Sequence, residues 1–487
     1  MTSASRFKFL ALAGAAMLTL SACGSAEVAS PGEDGFGGGG TGGGTGGGGG
    51  TGGGAAADCP TGFSNVGVLN NLRVCQLPAK VTGNLVVPLR AGTVYSLGGR
   101  TDVGDDRGAD PNNPTAGAQQ GILTIEAGVR IFGSSGADFL VVNRGSQIFA
   151  EGTSTSPIVF TSRQSIEGAT GVDSIGQWGG IVILGRAPIA ACPGGLTPPN
   201  IGCTAQVEGT NAFYGGATPA DNSGRLRYVR VQHSGFEVLP GNELNGITLA
   251  GIGSGTTVNH VQVHNSSDDG IEIFGGRVNL DHIVLTGNDD DSLDTDTGWQ
   301  GAAQFVLVVQ RANGGDRAFE MSSAGVVDGG GQPALRSHPR IANATIVKRS
   351  SGSDAIVVNS GSDLTLLNSV VTSLGGSGAC LDLDSAATGT AAPEFQSVFF
   401  SCATAFRVDG DLDSSTFFNA GSNNNAAGTS TLTGTFINGA NEAGVTTTNP
   451  VPYSAFFQNV AYIGAVRDAN DTWWQGWTCG LAAGSTC

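Results

Sequence analysis

The amino-acid sequence predicts an all-β protein, a right-handed parallel β-helix (a solenoid), on three observations. Short β-branched runs alternate with Gly, Asn, Asp and Ser along most of the chain, which is typical of many short strands joined by turns. From about residue 58 onward, no segment has a convincing amphipathic helical pattern. Two series of these runs recur in phase with each other, as repeated coils require.

The spacing of the two series carries this prediction. Most steps are 21 to 26 residues, and both series share one longer step that an insertion at residues 322–340 explains. Solenoid coils tolerate such an insertion, whereas a β-sandwich would not keep two series in phase through it. Sandwiches and propellers remain alternatives. We expect about fifteen coils stacked about 4.8 Å apart, a rod of about 70 Å. The two series centre near Val229, Val261, Ile283, Leu307, Ile346, Ser369 and Val398, and near Ile247, Glu272, Leu293, Phe319, Ile356, Leu381 and Phe406.

Residues 1–22 have the pattern of an export signal. Arg6 and Lys8 precede an apolar run of about a dozen residues, too short to cross a bilayer as a helix. Small residues then lead to Cys23. The segment resembles the bacterial lipoprotein signal, which implies an acylated Cys23, and the lack of Asp after it implies the outer membrane, on either face. An ordinary secretory signal with an incidental cysteine is the alternative.

Residues 37–54 consist only of glycine and threonine, so they cannot bury enough apolar surface to fold. The sequence therefore predicts a flexible tether ahead of the folded part. The predicted organisation is a signal peptide at 1–22, a lipidated cysteine and tether at 23–57, an N-terminal cap region at 58–120, the β-helix at 121–450 and a tryptophan-rich C-terminal cap at 451–487 that covers the last coil.

The charge balance excludes some partners. The chain has a formal charge of −17, which becomes −19 when the signal is lost with its two basic residues. Nucleic-acid binding needs clustered Lys and Arg, and the whole chain has three lysines: Lys8, Lys80 and Lys348. We therefore expect no nucleic-acid partner, and membrane attachment through the lipid anchor alone. An acidic chain favours cation binding.

The nine cysteines indicate an oxidising compartment. With Cys23 acylated, eight remain and fall into close pairs. No Cys-x-x-Cys spacing supports a metal-thiolate site. Sequence does not fix the connectivity, but nearest-neighbour pairing predicts the disulfides Cys59–Cys75, Cys192–Cys203, Cys380–Cys402 and Cys479–Cys487.

Acidic residues recur one coil apart. Two precede the strand at Ile271 and three precede the strand at Leu293, so stacking would crowd their carboxylates on one face. Calcium, which takes six to eight oxygen ligands, fits such a face. The alternative is a solvated acidic turn neutralised by Arg277 or Arg311. The predicted calcium ligands are Asp268, Asp269, Asp289, Asp290, Asp291 and Asp294.

Catalysis is a second possibility for the same face. A glycosidase needs two separated carboxylates, which Asp269 and Asp290 could supply, with His264 nearby. The chain lacks a Gly-His-Gly segment, an Arg-x-Lys pair and any lysine near this face. These absences argue against catalysis, which stays open as an alternative. Trp178 and Trp299 are flanked by glycines and are weak candidates for stacking on a sugar ring, or else packed corner residues.

Several segments resemble a group of uncharacterised bacterial parallel β-helix lipoproteins of the outer membrane and cell surface. The resemblance implies the fold and an envelope location, and no activity. We expect a non-catalytic, lipid-anchored envelope protein that binds calcium and a glycan, matrix component or partner protein. A polysaccharide-degrading lyase or hydrolase and a purely structural spacer are the alternatives. The segments that carry the resemblance are residues 176–189, 242–256, 268–276, 288–301 and 473–478.

Overall fold

The computed structural model describes residues 54–239, 242–323, 335–349, 352–408, 412–482 and 484–487. The predicted signal peptide, Cys23 and the tether as far as residue 53 lie outside the described residues. Most of the expected insertion at 322–340 lies outside them as well. Within the described ranges, no helix has the length and apolar character that a membrane crossing requires.

The chain forms 32 described strands and four short helices, α1 (Arg163–Glu167), α2 (Ala386–Ala391), α3 (Ser414–Ala420) and α4 (Ala440–Ala443), with a 3-10 turn at Pro193–Gly195. The first fourteen strands are β1 (Ser64–Leu69), β2 (Leu72–Gln76), β3 (Lys80–Val81), β4 (Gly83–Val87), β5 (Thr93–Ser96), β6 (Arg100–Val103), β7 (Gly121–Ile125), β8 (Arg130–Gly133), β9 (Phe139–Val142), β10 (Gln147–Glu151), β11 (Ile158–Ser162), β12 (Gly180–Leu184), β13 (Ala205–Gln206) and β14 (Phe213–Tyr214).

The remaining strands are β15 (Gly224–Gln232), β16 (Phe236–Leu239), β17 (Asn242–Leu244), β18 (Ile247–Ala250), β19 (Thr257–His264), β20 (Ile271–Phe274), β21 (Asn279–Thr286), β22 (Leu293–Asp296), β23 (Ala302–Val309), β24 (Phe319–Met321), β25 (Arg340–Lys348), β26 (Ile356–Val358), β27 (Thr365–Leu367), β28 (Val370–Ser373), β29 (Ala379–Leu383), β30 (Glu394–Gln396), β31 (Phe399–Ser401) and β32 (Thr404–Phe406).

These strands build a parallel β-helix, as predicted. Each coil runs through three faces. The first face contains strands such as β7, β10 and β27, and the second contains strands such as β8, β11 and β28. The first two faces belong to one 17-stranded sheet, in which the long strands β15, β19, β21, β23 and β25 bend from one face into the next. The third face is a separate sheet of eleven parallel strands, in the order β3-β6-β9-β12-β18-β20-β22-β24-β26-β29-β32.

The predicted repeat agrees closely with the register of the third face, where each equivalent residue pairs with the one in the next coil, in the order 247, 271, 293, 319, 356, 381 and 406. The prediction of about fifteen coils is wrong for the described residues, since their third face has eleven strands and spans about 50 Å. The predicted number was too high because inserted segments, such as residues 185–223, account for residues that the prediction had assigned to coils.

The ends of the β-helix also differ from the expected domain limits. Parallel pairing begins with β2 against β5 and β3 against β6, inside the region expected to be a cap. These strands are short and interrupted by glycine, so they show no visible series in the sequence. The last coil ends with β32, well before residue 450.

The core is a continuous stack of inward-facing side chains that runs through all the coils. Equivalent positions of successive strands carry like side chains, for example Val229, Val261 and Ile283, none of which is exposed to solvent. Aliphatic layers of this kind bury a large apolar area for each coil added. They hold the coils in one register.

All four predicted disulfides are present. The Cys380–Cys402 bridge joins β29 to the turn before β32 with a Cα–Cα distance of 5.7 Å, so it links adjacent coils. The Cys192–Cys203 bridge lies within the insertion at 185–223. An antiparallel arm, β16 with β17, lies in the connection between β15 and β18 of one coil.

The bend between the first and second faces has a left-handed residue in each of several successive coils. Glycine and asparagine adopt positive φ most readily, yet four of these positions hold an aromatic or imidazole ring. The rings stack: His260 and His282 have centroids 4.4 Å apart and an interplanar angle of 9°. The ladder comprises Tyr228, His260, His282, Phe305, Asn343, Asn368 and Ser397.

The tryptophan-rich tail does not cover the last coil, which is a correction to the sequence prediction. Helix α3 does so instead, with Phe418 against Phe395, Phe400 and Phe406. The tail, residues 446–482, runs back along the outside of the 17-stranded sheet. We call it the C-terminal strap.

Side chains on the sheet fix the path of the strap. Asn368 bonds Thr448, Gln304 bonds Gln458, Asn343 bonds Tyr462, and Gln262 bonds Cys479. The strap therefore reaches the coil of Gln304, turns towards the coil of Asn343, and then passes back over earlier coils to Gln262. It covers an apolar outer surface that includes Val284, Leu307 and Val347. This surface explains why the strap lies on the side of the β-helix, because those side chains would otherwise face water.

The ring ladder makes the strap sensitive to acid. Trp473 and Trp477 pack edge-on against His282 and His260, with ring centroids 4.8 and 5.5 Å apart. Burial, followed by the neighbouring His282, lowers the pKa of His260 to about 4. An unfolded histidine titrates near 6.5, so this contribution to stability is present above about pH 6.5 and is lost as the pH falls towards 4.

We expect His260→Asn to reduce the loss of thermal stability between pH 6.5 and 4, because Asn adopts the same left-handed conformation at positions 343 and 368. The measurement is the melting temperature at each pH, followed by tryptophan fluorescence, in both proteins. Phe305→Asn is the control, since it introduces Asn at another left-handed position of the ladder without removing a titratable group, so it should leave the difference in melting temperature between the two pH values as in wild type. An identical pH profile for wild type and His260→Asn would contradict the prediction.

Candidate functional site

Acidic side chains from successive coils meet where the chain turns into the third face. Because the coils are in register, residues one coil apart lie above one another. The result is three adjacent columns, which we call the acidic corner: Asp268, Asp290 and Asp316 in the turn, Asp269 and Asp291 beside them, and Glu272, Asp294 and Glu320 on the outer side of the strands.

The middle column has a structural role. Asp269 Oδ1 accepts a hydrogen bond from the backbone N–H of Asp291 at 2.9 Å, and Asp291 Oδ1 accepts one from the backbone N–H of Arg317 at 2.6 Å. Asp354 repeats the arrangement with the N–H of Ala379 at 2.5 Å. Each of these aspartates therefore satisfies a backbone donor of the next coil, which explains why Asp recurs at this turn position.

The outer column follows from strand alternation. In β20, Ile271 and Ile273 point into the core, so Glu272 points outward. Register places Asp294 beside Glu272 and Glu320 beside Asp294. Asn245, one coil earlier, donates its amide to Glu272 Oε2 at 2.6 Å.

The carboxylate oxygens are close enough to share a cation. Within each of three groups, one ligand oxygen per residue lies within 4.8 Å of the others. Calcium binds oxygen at about 2.3–2.6 Å, so oxygens on opposite sides of one ion are about 4.6–5.2 Å apart. The groups are Asp268–Asp269–Asp290, Asp269–Glu272–Asp294 and Asp290–Asp291–Asp316.

Burial and mutual repulsion both oppose ionisation here. Burial is the main cause that raises the pKa of Asp268 to about 8, followed by the charge of Asp290. Burial also raises the pKa of Asp269, Glu272 and Asp294 well above their usual range, with further increases from neighbouring carboxylates. Such a group must hold protons, counter-charges or a cation.

The counter-charges are unevenly placed. Arg317 pairs with Asp316 and with Glu320, the latter at 3.1 Å, on one side of the corner. Among the described residues, no Lys, Arg or His lies within 4.0 Å of the carboxylates of Asp269, Glu272 or Asp294. We call these three residues the inner group.

Two oxygens near the inner group lack hydrogen-bond partners in the described part of the chain. They are Asp294 Oδ1 and Asn245 Oδ1, both shielded from solvent. Asn245 itself is only 2 % exposed. A buried oxygen without a donor is costly, and a bound cation is one way to satisfy it. The donor set fits a hard divalent ion, because every ligand atom is oxygen.

The structure brings together five of the six predicted calcium ligands: Asp268, Asp269, Asp290, Asp291 and Asp294. The sixth, Asp289, belongs to none of the three groups and forms an ion pair with Arg311 at 3.1 Å. The other candidate neutraliser, Arg277, bonds backbone carbonyls instead.

Three acidic members of the corner were not predicted as ligands: Glu272, Asp316 and Glu320. The spacing contained a signal for Glu272, which is 22 residues before Asp294. Asp316 and Glu320 are each 26 residues after their neighbours, because the intervening turn is longer, and simple spacing misplaces them.

The two candidate sugar-stacking tryptophans are core residues, so that weaker prediction is wrong. Trp178 and Trp299 are fully buried, and their indole N–H groups donate to the carbonyl oxygens of Gln232 and Val278 at 2.7 and 3.0 Å. No face of either ring is open to a ligand. His264 is also buried, with Nδ1 2.8 Å from Thr286 Oγ1.

Comparison with known families agrees with this architecture. A family model described as a pectate-lyase-like beta helix domain matches residues 112–478. The chain belongs to this family. No curated protein matches the chain, and no solved structure matches it. The pectate-lyase-like match covers the acidic corner and most of the strap, so both lie inside the family domain.

Proposed function

We propose that this β-helix binds calcium at the inner group, Asp269, Glu272 and Asp294. The observation that carries the proposal is the enclosure of three carboxylates within 4.8 Å of one another, without a basic partner in the described part of the chain. Like charges at this distance repel strongly in a buried site. A divalent cation removes most of that repulsion.

The unpartnered oxygens of Asp294 and Asn245 support the same proposal. The carboxylates supply three to six oxygens, Asn245 supplies one, and water completes a shell of six to eight. The amide of Asn245 would turn so that its oxygen faces the ion. Because these residues come from three successive coils, the cation would bind the coils to one another and stabilise the folded state.

Calcium titration of the folded chain tests the site. We expect saturable binding by calorimetry and a higher melting temperature with calcium than with chelator, because at a free concentration of about 100 times Kd binding adds ~2.7 kcal/mol to the free energy of unfolding. Asp294→Asn should weaken binding. In chelator it should melt higher than wild type, because it removes one crowded charge.

Asp382→Asn is the matched control, since position 382 lies on the outer side of the same face, three coils beyond Asp294. It should bind calcium as wild type does. Absence of both heat and a melting shift in the wild type would refute the calcium proposal. Undiminished binding by Asp294→Asn would show that the ion sits elsewhere.

We further propose that the protein is a lipid-anchored, non-catalytic component of the cell envelope that binds a glycan, matrix component or partner protein. The lipoprotein-like segment ending at Cys23, the glycine tether and four disulfides support this location. Replacing Cys23 with Ser should release the protein from the membrane fraction. Protease treatment of intact cells then distinguishes the two faces of the outer membrane, because the protease reaches only protein on the cell surface. A Cys23→Ser protein that still fractionates with membranes contradicts the anchor.

Polysaccharide cleavage is the second candidate, and family membership favours it. Its catalytic carboxylates would be Asp269 and Asp290, which lie on adjacent coils in one acidic group. Retaining glycosidases hold their two carboxyl groups about 5–5.5 Å apart. Here one carboxylate oxygen of each residue lies within 4.8 Å of the others, a distance that one shared ion can span.

An assay against uronic-acid polymers distinguishes the two candidates. We expect no cleavage by the calcium-loaded wild type. Cleavage that is lost in both Asp269→Asn and Asp290→Asn would replace the non-catalytic proposal with the enzymatic one. If the protein neither cleaves nor binds calcium or glycan, the spacer alternative holds.

A further inference from the structure

A polar pocket of about 210 Å³ lies where the strap crosses the turns that follow the second face. Six segments of the chain enclose it: the loop at 172–173, the turns after β19, β21 and β23, the residue that follows β25, and the end of the chain from Gly480. Gly480 packs closely against the His264 ring, and Ala482 lines the wall beside it. Its larger polar side chains are His264, Asn265, Gln310, Arg311, Asn313 and Arg349.

The pocket contains two arginines, Arg311 and Arg349. Arg311 is held in place by Asp173 at 3.3 Å and Asp289 at 3.1 Å, and its side chain is only 8 % exposed. Arg349 differs, because no carboxylate among the described residues lies within 4.0 Å of its guanidinium. One positive group at the pocket wall is therefore left for a ligand.

The hydrogen bonds around Thr286 favour one tautomer of His264, the one in which Nδ1 accepts. The Gln262 amide is fixed, because its Oε1 accepts from the Cys479 N–H at 3.0 Å and its Nε2 donates to the Cys479 carbonyl at 2.7 Å. Gln262 Nε2 also donates to Thr286 Oγ1 at 3.1 Å, so the Thr286 hydroxyl is free to donate to His264 Nδ1.

The neutral ring of His264 then carries its proton on Nε2. This nitrogen is buried and has no partner in the described part of the chain, and His264 as a whole is 3 % exposed. Burial, with His233 and two arginines nearby, lowers the pKa of His264 to about 3, so the ring stays neutral at physiological pH. It offers a hydrogen-bond donor.

We propose that this pocket binds a small oxyanion group, a phosphate or a carboxylate, with Arg349 supplying the charge and His264 Nε2 a donor. Guanidinium groups bind both kinds of oxyanion through paired N–H bonds. The volume admits a single phosphate or one acidic sugar residue and excludes a folded chain. This site uses none of the calcium ligands of the acidic corner, so it stands apart from the proposed function.

Calorimetric titration of the metal-free folded chain with inorganic phosphate, and separately with glucuronate, tests the pocket. We expect saturable binding of at least one of them, which also identifies the source of the oxyanion. Arg349→Gln should weaken it at least about tenfold, as the loss of a hydrogen bond to a charged group implies. Arg349→Lys should keep part of the affinity.

Arg225→Gln is the charge-matched control, because Arg225 lies on the first face outside the pocket and its side chain is 56 % exposed. It should bind as wild type does, and Asp294→Asn should as well, which keeps this test independent of calcium. No saturable binding of either probe, or an equal loss in Arg349→Gln and Arg225→Gln, would overturn the proposal.

Discussion

The parallel hydrogen bonding between coils is the constraint on which the rest of the molecule depends. Each strand pairs with its equivalent in the next coil, so every side chain has a counterpart about 4.8 Å away on either side. An inward position therefore becomes a column of aliphatic side chains, and an outward position becomes a column of polar ones. The core benefits directly, because like apolar residues pack well in such columns.

Stacking of equivalent positions also brings like charges close together, so acidic residues that recur from coil to coil destabilise the fold. Asp269 and Asp291 reduce that cost by accepting backbone N–H groups of the next coil, as Asp354 does further along. Glu272 and Asp294 have no such role, and both are held where ionisation is unfavourable. The middle column is thus explained by the fold alone. The outer column is not explained by the fold alone, and it is where we propose that calcium binds.

The sequence predicted what depends on repetition and missed what depends on long-range contact. Ile247, Leu293 and Phe319 recur in the register that the structure has, because each core layer must repeat. The strap could not be placed from its sequence, since its course depends on contacts such as Trp477 with Tyr228, almost 250 residues apart. Asn245 was missed as well, because an amide beside a glutamate is unremarkable until the coils are stacked.

The segments outside the coils cover the faces of the β-helix to different extents. The strap covers much of the second face, and the insertion at 185–223 covers early coils of the third face by packing Tyr214 against Phe274. That insertion and the β16–β17 arm also bring Glu208 and Glu243 near Asp268, where both raise its pKa further. Covering elements that add charge to a crowded acidic corner would destabilise it if it were only a turn. Their placement is understandable if the corner holds a cation whose positive charge they help to balance.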